Sequence, residues 1–162
     1  MAKLSSYTAK TTLTGNDKIP LTDSAASNAT KNITWTNMMG QVAAFTSTFT
    51  NKRITPRVTS ETSSATPTIN TNNSDCHRIT ALAVAITSFT TNLSGTPTAL
   101  QELIIEILDN GTARAITWGA SFASTSSGTL PTTTTPSKIL LVKFIWSAAR
   151  SKWLCVAVTN ES

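Results

Sequence analysis

The chain has 162 residues, a length suited to one main domain with a short appendage, and a formal charge of +5 on a content of charged residues of only 13%. Ser and Thr make up roughly a third of it, so solubility rests on hydroxyls and amides, and Thr beside Val and Ile favours sheet. The thirteen basic residues are scattered, with Lys52, Arg53 and Arg57 the one close group, which argues against nucleic-acid binding, and no apolar stretch approaches the ~18 residues that span a bilayer.

The start, Met1-Ala2-Lys3-Leu4-Ser5-Ser6, is polar and unlike a secretory signal. Synthesis in a reducing compartment is therefore expected, with Cys76 and Cys155 as free, partly buried thiols. The Asn-x-Ser/Thr triplets at Asn28, Asn32, Asn92 and Asn110 follow from the abundance of Ser and Thr and are not read as glycan sites.

Residues 1–33 read as an extended arm with little core of its own, broken by a turn at Gly15-Asn16-Asp17. From Trp35 the period changes. Trp35, Met38, Val42, Phe45 and Phe49 fall at spacings of three and four, one stripe of a short helix that Thr34 or Thr36 caps. Gly40 costs this helix about 1 kcal/mol against Ala, so alone in water it is marginal and needs a partner. Two partners are open: the chain's own β-domain, or the same stripe of further copies around a symmetry axis. We expect the second, which makes these five residues the oligomer interface.

Residues 51–57 form a linker, with Pro56 biasing its neighbour to extended structure. Residues 1–52 are thus an arm and helix for attachment and oligomerisation, and residues 53–162 a β-sandwich domain. Val58–Ser60 and Thr66–Asn70 are short and polar like edge strands, and Arg78–Thr87 carries the apolar run of a core strand. Leu100–Leu108 matches a helical face as well as a strand, but its shortness, its Ile content and the following Asn110-Gly111 favour a strand and a tight hairpin returning along Arg114–Trp118. A second hairpin pairs Lys138–Trp146 with Lys152–Val158 across Ser147–Ser151, and Ala123–Thr135 is an exposed loop. The fold class expected is all-β: an antiparallel sandwich or jelly roll behind an extended arm and one short helix.

Several blocks together resemble a small β-domain of tailed-bacteriophage structural proteins. They are Val58-Thr59-Ser60, Ala65–Asn70, Ile79–Leu82, Asn92–Thr98, Leu103–Trp118 with its Asp109-Asn110-Gly111-Thr112-Ala113-Arg114 core, Leu130–Thr134 and Lys152-Trp153. The arm, at Leu13-Thr14-Gly15, Ile19-Pro20-Leu21-Thr22 and Ile33-Thr34-Trp35, resembles a stretch common in phage fibre proteins. The resemblance implies a virion component made in the bacterial host cytoplasm: a capsid decoration or head-fibre protein, with phage capsid or tail proteins as partners. The alternative it allows is a tail-fibre adhesin binding a host receptor or surface glycan. It also supplies the number three for a homotrimer, since the residues themselves argue only for association.

Little in the chain points to catalysis. His77 is the single histidine, and its neighbour Cys76 points to the opposite face of a strand, so the two do not readily meet. Zinc would have only Cys76, His77 and Cys155, without paired spacings. Glu102 and Glu106 share a strand face but point to solvent, unlike paired glycosidase carboxylates. Trp118, Trp146 and Trp153 raise the question of sugar stacking, with core packing the preferred role. No enzyme activity, cofactor or metal is expected.

Overall fold

The computed structural model describes residues 11–23, 25, 27, 29–44 and 53–162. Their contacts divide the chain into two compact units, Met1–Arg53 and Ile54–Ser162. The protein is mostly β, with several sheets and one short helix among the described residues.

In the first unit, β1 (Lys18–Asp23) runs antiparallel to β2 (Ala29–Thr34), and β2 leads into α1 (Trp35–Ala44). The described part of the arm is therefore a β-hairpin rather than a merely extended segment. Pro20 is tolerated because each strand of a two-stranded ribbon has a free edge where no N–H is required. The helix begins where the Thr34 hydroxyl accepts from the Asn37 amide at 3.2 Å, which selects Thr34 as the cap. The Thr14–Asp17 turn serves the same end, its Asp17 and Gly15 carbonyls accepting from the amides of Trp35 (2.8 Å) and Thr36 (3.2 Å).

The second unit contains β3 (Val58–Glu61), β4 (Thr68–Asn70), β5 (Cys76–Leu82), β6 (Asn92–Ser94), β7 (Glu102–Asp109), β8 (Phe122–Ala123), β9 (Ile139–Ser147) and β10 (Lys152–Asn160). Six of these form one sheet in the order β3-β5-β7-β9-β10-β8, while β4 and β6 pair separately. The expectation of a purely antiparallel arrangement is corrected. β3–β5, β5–β7, β8–β10 and β4–β6 are parallel, and antiparallel pairing joins β7 to β9 and β9 to β10. The β9–β10 hairpin closes as expected, with Lys152 opposite Ser147.

The Asn110-Gly111 turn does not produce the expected return strand. Both edges of β7 are already occupied, by β5 and β9, so the chain leaves the sheet after Asp109. Ala115 and Ile116 instead make isolated bridges to Thr133 and Ile86. Gly111 takes a φ of 109°, a conformation open to glycine. The turn is organised by the Asp109 carboxylate, 3% exposed, which accepts from the Thr134 hydroxyl at 2.6 Å and the amides of Gly111 (2.8 Å) and Ser137 (3.2 Å). Burial pushes this carboxyl up, but those bonds outweigh it and hold the group below its ordinary range.

Alternation builds the core. Leu103, Ile105 and Ile107 of β7, Leu140, Val142 and Phe144 of β9, and Trp153 and Cys155 of β10 all point to one side. On β5 the phase breaks: the register shifts between Ile79 and Leu82, so both are buried although three apart, and the strand ends before the exposed Val84. The segments between strands complete the core with Ile86, Phe89, Ile116 and Trp118. Phe89 stacks on Trp118 at 4.6 Å, and Trp118 lies 5.2 Å from Phe144 at a tilt. The expected loop 123–135 is largely exposed, but Gly128 and Thr134 within it are buried.

Candidate functional site

The helix stripe is the first candidate. Trp35 and Met38 are half-buried on α1, whereas Val42 is 48% and Met39 43% exposed. The stripe positions 35, 38 and 42 fall on α1, and Phe45 and Phe49 lie outside the described residues. Among the described residues of this unit Leu13 and Leu21 are also exposed.

The second candidate is a polar cluster at the β3 edge of the large sheet. Parallel pairing sets Thr59 beside His77, so Thr59, Glu61 and His77 share the inward face while Cys76 and Arg78 take the other. His77 is 2% exposed; its Nε2 lies 2.9 Å from Glu61 Oε1 and its Nδ1 3.0 Å from Thr59 Oγ1. Asp75, two residues before His77 in the chain, is not its partner. Asp75 belongs instead to Arg57, which also bonds the Asn72 carbonyl, and the guanidinium holds the Asp75 carboxyl at about 2. The Cys76 thiol does stand apart from His77, and burial chiefly pushes it up, away from the reactive thiolate.

A third candidate involves the tryptophans. Trp118 is core, its indole N–H donating to the Pro131 carbonyl at 2.7 Å, and Trp153 is equally buried. Trp146 is half-buried and tilted against Trp153 at 5.3 Å. The two border a notch of about 190 Å³ with Thr71, Leu93, Ser94 and Pro97. One indole face thus reaches a surface that also carries hydroxyls.

Four charged side chains elsewhere on the sheet form two ion pairs. Arg78 meets Glu106 at 2.6 Å and Lys143 meets Glu102 at 2.8 Å, so both glutamates of β7 serve as ion-pair partners on the exposed face. Among the described residues no group of three His, Cys, Asp or Glu side chains could hold a metal ion. Among the same residues no helix is long and apolar enough to cross a membrane. Cys76 on β5 and Cys155 on β10 are free; two intervening strands put them about 14 Å apart, beyond disulfide reach. No protein-family model, no curated protein and no solved structure matches the chain.

Proposed function

We propose that the chain is a structural protein of a tailed-phage virion, a capsid decoration or head-fibre protein that attaches by its N-terminal unit and associates as a homotrimer. The carrying observation is the set of apolar side chains that this unit leaves at its surface: Leu13, Leu21, Met39 and Val42. Four large apolar side chains exposed on so small a unit favour its being covered in the working assembly. The resemblance of its sequence blocks to phage structural proteins suggests the particle, and the three-fold habit of such proteins suggests the number. We read the second unit as a sandwich, the large sheet forming one layer and the β4–β6 pair with the long connecting segments forming the other.

Light scattering on the full chain tests the assembly: a mass about three times the 17.2 kDa of one chain is expected, and Val42→Asp should lower it. A wild-type mass of 17.2 kDa sinks association, and a stable dimer sinks the three-fold reading. Deleting residues 1–50 should abolish attachment to particles while leaving a folded β-unit. Retained attachment of the truncated chain places the attachment surface elsewhere.

The second reading, an adhesin that binds a host-surface glycan, draws on the half-exposed Trp146 at its hydroxyl-bordered notch. Copy number separates the two readings, since a decoration protein covers a repeated lattice whereas a tail adhesin is present in far fewer copies. Glycan-array binding that is lost in Trp146→Ala would favour the adhesin.

A further inference from the structure

The cluster around His77 fixes a count of hydrogens. From Nδ1 the contacts run in one line: 3.0 Å to Thr59 Oγ1, 2.8 Å from there to Ser74 Oγ, and 2.9 Å from Ser74 Oγ to the Cys76 carbonyl. A carbonyl only accepts, so the Ser74 hydroxyl donates to it. The Ser74 oxygen then receives the Thr59 hydrogen, and the Thr59 oxygen must receive one from the ring. Three contacts need three hydrogens, and two hydroxyls bring two. On the other side of the ring, the contact between Nε2 and Glu61 at 2.9 Å needs one more.

We infer that His77 carries hydrogens on both ring nitrogens in the folded protein, as an imidazolium facing the Glu61 carboxylate, and that this extra hydrogen clasps edge strand β3 to β5 in a pH-dependent way. The alternative placement, with the second hydrogen on Glu61, gives the same count, but imidazole is the stronger base and keeps it. The other charged groups nearby face elsewhere. Arg57 and Asp75 bond each other, Arg78 and Glu106 pair on the opposite face beside the Cys76 thiol, and β7 presents the apolar Ile105 next to His77.

Withdrawing the Nδ1 hydrogen leaves two hydrogens for three contacts. Either two lone pairs then face each other or Ser74 abandons the Cys76 carbonyl, and a buried polar group is left unpaired. β3 has only four residues and one strand neighbour, so it is the element that feels the loss. The clasp is therefore present on the acid side of the transition and lost as pH rises.

A single histidine makes the test unambiguous. In nitrogen NMR of the full chain at about pH 7.5, where a solvated imidazole is largely neutral, both ring nitrogens should appear protonated. One unprotonated nitrogen at that pH overturns the inference. Ser74→Ala frees the Thr59 hydroxyl to donate to Nδ1, so the ring should lose its Nδ1 hydrogen at the same pH; an unchanged imidazolium overturns it. If that variant fails to fold, Glu61→Gln serves, since its amide N–H can donate to Nε2 and make that contact without a second ring hydrogen, and a persistent imidazolium then counts against the inference. In the wild type, amide hydrogen exchange in β3, corrected for intrinsic base catalysis, should quicken roughly tenfold once the Nδ1 hydrogen leaves. Unchanged exchange overturns the clasp.

Discussion

Replacing Asp109 by Ala should destabilise the second unit by about 3 kcal/mol, and replacing it by Asn by about 1 kcal/mol. The magnitude follows from what the carboxylate receives. One buried hydroxyl and two amides converge on it, at 2.6, 2.8 and 3.2 Å. Each bond to a charged acceptor contributes about 1.5–3 kcal/mol, less the cost of burying the charge, and truncation also leaves the buried Thr134 hydroxyl without its acceptor. Asn keeps an acceptor oxygen, and its amide can donate to the Thr134 oxygen, so most of the loss is avoided. In a unit of roughly a hundred residues, 3 kcal/mol corresponds to a drop in Tm on the order of 15 °C. Urea denaturation followed by tryptophan fluorescence measures both variants. The sign of the pH dependence is set by the depressed carboxyl, whose stabilisation is present above the ordinary aspartate range and is lost as pH falls below about 4. The gap between wild type and Asp109→Ala should therefore narrow in acid. A loss under about 1 kcal/mol for Asp109→Ala, or a gap independent of pH, refutes the reasoning.

Three further outcomes are expected. A Cβ at Gly128 would lie 2.6 Å from the Cys155 carbonyl oxygen and 2.9 Å from its Sγ, so Gly128→Ala should cost about 2 kcal/mol in chemical denaturation; a neutral result would mean that the 124–130 segment shifts freely. A reducing agent should leave Tm unchanged, and a thiol reagent should modify Cys76 and Cys155 slowly in the folded protein, because burial raises both thiols. Fast modification without unfolding would contradict that burial.

Elements whose signals are local were legible. β9 and β10 are apolar runs on either side of a short turn, and the Ile-rich run of β7 is a strand. Signals that depend on distant chain misled. Asn110-Gly111 is a sound turn, but whether a turn closes a hairpin depends on whether the strand edge beside it is free, and β5 and β9 had taken both edges. The parallel pairings are invisible to periodicity, because alternation reports which side chains face inward and not which strand lies alongside. The Glu61–His77–Thr59 cluster escaped for that reason: residues sixteen and eighteen apart meet only through the register of β3 on β5. The hairpin of the first unit was hidden by Pro20 and by strands with almost no buried face.

The strand order has a consequence for how the second unit comes into being. Parallel neighbours require long crossovers, and among its described strands β9 and β10 are the one consecutive pair in the large sheet. Their hairpin closes the shortest loop and so is the cheapest pairing to nucleate. Among the strands of this unit it is also the last to be synthesised. Trp153 and Cys155 of β10 are part of the core, so the earlier strands wait on the ribosome with their apolar faces uncovered until β10 emerges. Translation that stops short of Lys152 should release an aggregation-prone fragment rather than a smaller domain.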